Sequence, residues 1–83
     1  MLKSSYTAAQ KLFCESLRRA RVGAGLSQAE LADRLSEPQS FVSRFERGER
    51  RLDVVEYIQV AKAIGFDPAA HLRKVVKAIG PSK

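Results

Sequence analysis

The residues best suited to binding chemistry lie in the stretch EPQSFVSRFERGERR, Glu37 to Arg51. At about 100° per residue, a helix through this stretch places Phe41, Val42 and Phe45 on one narrow arc that must face a core. The opposite arc carries polar side chains: Gln39, Ser40, Ser43, Arg44 and Arg47. A solvated helix face more often carries Glu and Lys, so this composition indicates a surface that binds a partner.

Residue clusters typical of catalysis are missing from the sequence. His71 is the only histidine, and the single cysteine, Cys14, lies far from it along the chain, which argues against a zinc site. The GAG segment joins two predicted helices and follows no strand, so it does not fit a dinucleotide or phosphate-binding loop. We therefore expect no enzymatic activity, no metal and no cofactor, and we expect Cys14 to be a small buried hydrophobe.

Size and charge restrict the kind of protein and the kind of partner. The chain has 83 residues, of which 45% are hydrophobic, and this supports one small domain with one core. Its net charge of +6 points to a polyanion, either nucleic acid or an anionic membrane surface. No apolar run approaches the ~20 residues of a membrane span, and MLKSSYTAAQ lacks the apolar stretch of a signal peptide. We expect a cytoplasmic protein without a membrane partner.

Helix start and stop signals recur at short intervals and predict an all-α fold of five short helices, covering residues 1–83 as one domain. Three pairs have capping-box spacing at the starts of the first, second and fourth helices: Thr7 with Gln10, Ser27 with Glu30, and Asp53 with Glu56. Pro38 suits the first turn of the third helix, which we expect to run to Gly48. Asp67 and Pro68 begin a C-terminal helix over about residues 68–79.

Apolar residues recur on one stripe of each helix and predict which faces form the core. The stripe of the first helix is Ala9, Phe13, Leu17 and Ala20, and that of the second is Leu31, Ala32 and Leu35. The stripe of the fourth is Val54, Ile58, Ala61 and Ile64, and that of the fifth is Leu72, Val75, Val76 and Ile79. Leu52 is expected to anchor the loop between the third and fourth helices.

The second and third helices are joined by about three residues, which allows only a tight corner. Such a corner sets two helices at a steep angle in a helix-turn-helix, here over about residues 28–47. The second helix of that motif projects from the domain and can enter a major groove about 12 Å wide. Because the polar face of the third helix suits base edges and phosphates, the sequence indicates double-stranded DNA as the partner.

The run from Leu17 to Pro68 resembles the Cro and lambda-type phage repressor family of helix-turn-helix proteins, also called the xenobiotic response element (XRE) family. The resemblance rests on the segments GLSQAELA, VSRFERG and AKAIG. It implies a helix-turn-helix fold and DNA binding in transcription regulation. One departure is Ser36, at the turn position where the family commonly has glycine in a left-handed conformation, which serine tolerates less well.

The resemblance also assigns roles on the DNA-binding surface. Base-reading positions of the family are matched by Gln39, Ser40 and Arg44, and Arg can grip guanine, or Gln adenine, through two hydrogen bonds. Gln28 matches a glutamine that clamps a phosphate at the start of the second helix. Ser43 touches phosphate or is simply solvated. Positions that contact the sugar-phosphate backbone are matched by Arg47, Arg50 and Arg51.

Other matching positions imply structural or partner contacts. Arg21 and Glu46 occupy the places of a family ion pair, and Glu46 borders the apolar arc, so we expect the pair to be partly shielded. Phe41 either completes the core, which we favour, or meets a thymine methyl group. Asp33 lies on the outer side of the second helix, where some family members contact RNA polymerase, although a solvated carboxylate is the favoured interpretation.

One recognition helix reads only a few base pairs, so we expect a homodimer on an inverted repeat. Part of the stripe on the fifth helix should cover the first helix, and the dimer contact is expected within the set Phe66, Leu72, Val75, Val76 and Ile79. The favoured function is a homodimeric repressor or autoregulator. The alternative is a protein-interaction module, such as an antitoxin or antiactivator, with a regulatory protein as partner. The polar face favours the first, because protein-docking helices more often expose aromatic and aliphatic side chains.

Overall fold

Five α-helices make up the computed structural model, which describes residues 7–81. They are α1 (Ala8–Gly23), α2 (Gln28–Leu35), α3 (Gln39–Glu46), α4 (Val54–Ile64) and α5 (Pro68–Ile79). No strand occurs among the described residues, and the predicted all-α fold of five short helices is confirmed. The predicted absence of a signal peptide concerns residues 1–6 in part, and the predicted domain over residues 1–83 includes residues 82–83; these two segments lie outside the described residues.

Side-chain caps fix the starts of the helices. The Ser27 hydroxyl accepts the N–H of Glu30 at 3.0 Å, and Glu30 Oε1 accepts the N–H of Ser27 at 2.8 Å, which completes the predicted capping box of α2. Asp53 and Glu56 form the same reciprocal pair at the start of α4. At α1 only half of the predicted box is present, because the Gln10 amide donates to Cys14 Sγ instead of returning to Thr7.

The ends of α3 differ slightly from the sequence prediction. Pro38 is the N-cap residue with extended backbone, one position before the first turn in which we expected it. The helix ends at Glu46 instead of Gly48, because Arg47 and Gly48 leave the helical path in a tight turn, with Gly48 at φ 77°. The Gly48 N–H bonds the Phe45 carbonyl at 3.2 Å, so the reversal follows the helix directly.

The core lies where α1 to α4 meet. Its largest fully buried side chains are Phe45, Leu17, Leu31, Val42 and Val60. Leu52 packs against this cluster from the loop, as predicted, and Cys14 is buried. Burial also raises the pKa of the Cys14 thiol, in keeping with its predicted role as a small hydrophobe.

The predicted stripe of α4 was wrong at its first residue. Val54 is 73% exposed, whereas Tyr57 and Val60, which the prediction omitted, are buried. Val54 shares its helical face with Ala61, but it lies on the first turn, where no neighbouring element covers it. Helical periodicity gives the direction of a side chain and does not show how far along the helix the core extends.

Within residues 7–81, no helix combines the length and the apolar character that crossing a bilayer requires. The same part of the chain contains no group of three or more His, Cys, Asp or Glu side chains placed to hold a metal ion.

Candidate nucleic-acid interface

The corner between α2 and α3 is made by a left-handed residue that is not glycine. Ser36 follows α2 with φ 56° and ψ 41°, and it is the one non-glycine residue with positive φ in the described chain. Its N–H bonds the Asp33 carbonyl, and the Glu37 N–H bonds the Ala32 carbonyl at 3.0 Å. The left-handed turn implied by the family resemblance is therefore present, with serine in the conformation that glycine adopts more easily.

The apolar side of α3 is fixed in the core. Val42 and Phe45 are buried, and Phe41 is half-buried with its ring edge-on to Phe45, at 5.4 Å between ring centroids. The favoured prediction that Phe41 completes the core is confirmed, since it packs against the core cluster. The direction of the outer face is fixed by this packing.

The polar side of α3 faces solvent. Four of the five side chains singled out in the sequence are exposed, namely Gln39, Ser40, Arg44 and Arg47, and Ser43 is half-buried. The structure thus brings the expected base-reading residues Gln39, Ser40 and Arg44 together on one accessible side of a helix. No large apolar side chain is exposed on α3.

A buried ion pair joins α3 to α1. Arg21 Nε lies 2.6 Å from Glu46 Oε2, and Arg21 Nη2 lies 3.1 Å from Oε1. Arg21 Nη1 also donates to the Leu26 carbonyl at 2.8 Å, so the loop before α2 is held as well. The expected pair is confirmed, and both residues are buried rather than only partly shielded.

Gln28 extends this network toward the outer face. Its Nε2 donates to Glu46 Oε1 at 3.0 Å, and its Oε1 receives a longer contact, 3.5 Å, from Gln39 Nε2. An amide nitrogen carries two protons, so Gln28 keeps one for another acceptor. The hydrogen bonds therefore run from α1 through the buried carboxylate to the first residue of α3.

Three exposed arginines surround the end of α3. Among the described residues, the guanidinium groups of Arg44 and Arg51 have no partner, and Arg47 pairs with Glu49 at 3.1 Å on the surface. Exposed pairs of this kind contribute about 0–1 kcal/mol, so Arg47 can exchange Glu49 for another anion at little cost. All three side chains are accessible to a polyanion.

Arg50, which the family resemblance places at the sugar-phosphate backbone, is paired within the chain. Its Nη1 and Nη2 donate to the two carboxylate oxygens of Glu56, at 2.9 and 2.7 Å, and its guanidinium carbon lies 5.1 Å from the Phe41 ring centroid. These hydrogen bonds and the N–H of Asp53 hold the pKa of the Glu56 carboxyl below its usual value. Arg50 is thus used within the chain and is not held free for phosphate.

Comparison with known proteins connects this geometry to a family. A helix-turn-helix family model matches residues 17–70. The solved structure of an XRE-family like protein from Pseudomonas syringae pv. tomato str. DC3000 is 47% identical, covers 89% of each chain and superimposes with a TM-score of 0.82. The chain belongs to the XRE family of helix-turn-helix proteins. Members of this family are DNA-binding regulators of transcription.

Two further solved structures share the XRE fold. The restriction-modification controller protein C.AhdI from Aeromonas hydrophila is 32% identical, with a TM-score of 0.72, and covers 78% of this chain and 98% of its own. The clp gene regulator ClgR from C. glutamicum is 21% identical, with a TM-score of 0.78, and covers 93% of this chain and 100% of its own, which shows the fold alone. No curated protein matches the chain.

A set of hydrogen bonds centred on His71, which we call the His71 relay, joins three helices of this XRE domain and was not predicted from its sequence. His71 on α5 bonds the Tyr57 hydroxyl of α4 through Nδ1 at 2.6 Å and the Ser16 hydroxyl of α1 through Nε2 at 3.0 Å. Because the Ser16 hydroxyl donates to the Phe13 carbonyl, it accepts from Nε2 in the neutral histidine. Burial, and then the nearby Lys74, lower the pKa of His71. The relay attaches α5 to two other helices.

The XRE domain divides the residues expected at a dimer contact into two groups. Val75 is buried within the chain, and Phe66 is half-buried with its ring centroid 4.7 Å from that of His71. These two side chains therefore pack toward the interior of the domain. Leu72, Val76 and Ile79 are exposed, at 41%, 66% and 45%, and are available to another surface.

Proposed function

We propose that this XRE protein is a sequence-specific regulator of transcription that reads an inverted-repeat operator as a homodimer, with α3 in the major groove. The proposal rests on the different environments of the two sides of α3. One side is buried through Val42 and Phe45, and the other exposes hydrogen-bonding side chains at regular spacing. A helix held in this way presents its polar face as a rigid reading surface.

Base reading is assigned to the exposed residues of α3. Arg44 has no partner within the described chain and carries the fork of donors that matches guanine O6 and N7. Gln39 offers an amide that matches the adenine edge, and Ser40 lies beside it. Arg44 therefore contributes most to specificity, because a bidentate contact discriminates one base pair from the other three.

Binding of the DNA sugar-phosphate backbone is assigned to residues that flank the base-reading residues of α3. Gln28 lies at the start of α2, where unpaired N–H groups favour a phosphate, and it retains one amide proton. Ser43, Arg47 and Arg51 lie along α3 and in the loop beyond it. Phosphate contacts set the register of the protein and account for much of its affinity.

The dimer contact is assigned to the exposed part of α5. Leu72, Val76 and Ile79 follow one another at helical spacing and are accessible, whereas Val75 is used inside the chain. A two-fold axis through such a surface would pair two α3 helices and double the length of the site that is read. The controller protein C.Esp1396I, 18% identical, has been solved as a tetramer in complex with its natural 35 base-pair operator, so this fold can assemble on DNA.

The alternative, a protein-interaction module, is less well supported. If α3 docked to a protein, it would more often expose aromatic and aliphatic side chains, whereas the large apolar residues of α3 face the core. Asp33 on α2 is exposed, which suits a solvated carboxylate, and no observation favours its contact with RNA polymerase. That contact is not part of the proposal.

Selection of binding sites from a random pool of duplex DNA tests the proposal. We expect enrichment of two half-sites in inverted orientation, about 10 base pairs or a multiple apart from centre to centre, together with a dimer mass by light scattering. Enrichment of an unrepeated half-site with a monomer mass would contradict the dimer. Absence of any enriched sequence would contradict the regulator and leave the interaction module in its place.

A further inference from the structure

We infer that Arg50 is a positioning residue of the DNA interface: it holds α3 and the loop beyond α3 against α4, and it does not bind phosphate itself. The inference rests on the proposed DNA-binding function. It separates Arg50 from the two arginines near it, Arg47 and Arg51, which differ from it in their contacts although sequence alone places all three in one group.

The first support is the geometry of the ion pair. Arg50 binds Glu56 through two parallel hydrogen bonds, and the two side chains are 41% and 27% exposed. A bidentate fork fixes direction as well as distance, which a single surface contact does not. Turning this fork of donors from Glu56 to a phosphate would break both bonds and would leave the Glu56 carboxylate facing the DNA without its cation.

Glu56 is in turn attached to the start of α4. Its Oε1 accepts the N–H of Asp53 at 2.9 Å, while Asp53 Oδ1 accepts the N–H of Glu56 at 2.7 Å. The carboxylate that binds Arg50 is therefore the same group that closes the capping box. Because the capping box holds the Glu56 side chain in place, Arg50 is held at the start of α4.

The second support is the contact of Arg50 with α3. Its guanidinium group lies over the Phe41 ring, and Phe41 packs edge-on against Phe45 in the core. A cation over an aromatic face at this distance is attracted to the ring and also covers it from water. Arg50 therefore contacts the helix that reads DNA at a residue adjacent to Ser40.

The third support is the path of the loop. The Arg44 carbonyl accepts the N–H of Glu49 at 2.9 Å and that of Arg50 at 3.3 Å, and the Arg50 side chain donates to the Arg51 carbonyl. The backbone of Arg50 is thus tied to the base-reading residue, and its side chain is tied to the residue assigned to phosphate. Substitution of Arg50 keeps this backbone bond but removes the side-chain bonds to Glu56 and to the Arg51 carbonyl, so the loop that joins Arg44 to Arg51 should be less firmly held.

Removal of the Glu56 charge distinguishes positioning by Arg50 from long-range electrostatic attraction to DNA. Glu56→Gln removes a negative charge from a DNA-binding protein, and long-range attraction alone predicts tighter binding. Glutamine still satisfies the capping box at this position, so α4 keeps its start. If Arg50 acts by positioning, the variant should instead bind the selected operator about tenfold more weakly, a loss within the range of coupled neighbouring residues.

Variants of Arg50 itself are compared by the salt dependence of binding. Arg50→Ala and Arg50→Lys should both lose about tenfold in operator affinity, because lysine keeps the charge but lacks the fork. Neither should change the slope of log affinity against log salt. The matched control is Arg51→Ala, whose slope should fall by about 0.9, the value for one lost phosphate contact on duplex DNA.

These experiments distinguish failure of the positioning role of Arg50 from failure of the proposed DNA-binding function. A smaller slope for Arg50→Ala with rescue by Arg50→Lys, or tighter binding by Glu56→Gln, would overturn the positioning role and leave the regulator intact. A parent protein that does not discriminate its operator from random duplex would overturn the proposed function, and the inference with it. If circular dichroism shows that Arg50→Ala is unfolded, the lysine and Glu56→Gln variants decide the question.

Discussion

Arg21 and Glu46 form a bidentate ion pair across 25 residues of sequence, with side chains that are only 10% and 3% exposed. The pair joins the last turn of α1 to the last residue of α3, and Gln28 adds a hydrogen bond from α2 to the same carboxylate. Three helices therefore meet at one buried anion. A buried pair of this kind is costly to break, because the remaining charge has no water to replace its partner.

Glu46→Ala should lower the free energy of unfolding by about 3–5 kcal/mol, since it leaves the Arg21 guanidinium buried without an anion. The control is Glu15→Ala, which removes exposed pairs to Arg18 and Arg19 at 3.6 Å and should cost less than about 1 kcal/mol. Urea titration followed by circular dichroism measures both. Equal midpoints for the Glu46 variant and the parent would show that the pair adds nothing.

Arg44→Ala should lose about 1–3 kcal/mol of binding free energy on the selected operator and much less on random duplex, because the lost contact reads a base. Arg51→Ala should weaken both alike, because a phosphate contact is independent of sequence. Competition binding at one salt concentration gives, for each variant, the ratio of its affinity for the operator to its affinity for random duplex. A uniform loss for Arg44→Ala on both duplexes would exclude a base-reading role.

The contrast between Arg50 and Arg51 shows what the sequence could and could not predict. Caps, the tight corner and the apolar arc of α3 depend on neighbouring residues, and these were predicted closely. Arg50 and Glu56 are only six residues apart, but their pairing depends on how the loop turns between them, which spacing does not determine. The relay through His71 joins three helices and required their packing to be known first.

Ser36→Gly should stabilise the domain. A left-handed conformation costs an L-residue about 1–2 kcal/mol, and glycine avoids that cost while losing about 0.5–1 kcal/mol through its freer unfolded chain. We expect a net gain of about 0.5–1 kcal/mol. The control of opposite sign is Gly65→Ala, where φ is +108° and the added Cβ meets no atom within 4 Å, so backbone strain alone destabilises. Thermal melts that order these variants the other way would refute the strain at Ser36.

Stability should decrease as the pH falls below about 6.5, the ordinary pKa of histidine. Burial and Lys74 lower the pKa of His71 in the folded protein, so the unfolded chain binds the proton more readily and acid favours unfolding. The effect is absent above this pH and becomes complete below the folded pKa. Urea titrations at a series of pH values on either side of about 6.5 should show that the free energy of unfolding falls as the pH is lowered, and His71→Gln should remove this dependence. A dependence that persists in the variant would belong to another group.

Val76→Glu should convert the proposed dimer to a monomer and weaken operator binding. At a protein concentration low enough for the parent to be monomeric, the two proteins should melt at nearly the same temperature. The residue is 66% exposed, so a charge there disturbs no internal packing. Val22→Glu is the control, because Val22 is 53% exposed at the end of α1 and lies outside the proposed contact. Light scattering measures both masses. A dimeric Val76→Glu protein with full affinity would place the contact elsewhere.

The burial of Cys14 makes this thiol a reporter of opening in the unmodified protein. It is the chain's one cysteine, its side chain is 3% exposed, and its pKa is raised by burial, so the reactive thiolate is scarce and out of reach in the closed state. Labelling by a thiol reagent must then wait for an opening of the structure that exposes the thiol. When reclosing is faster than labelling, the rate of modification reports the population of the open state. A fluorophore can be attached at an introduced surface cysteine in a reaction too short for Cys14 to open.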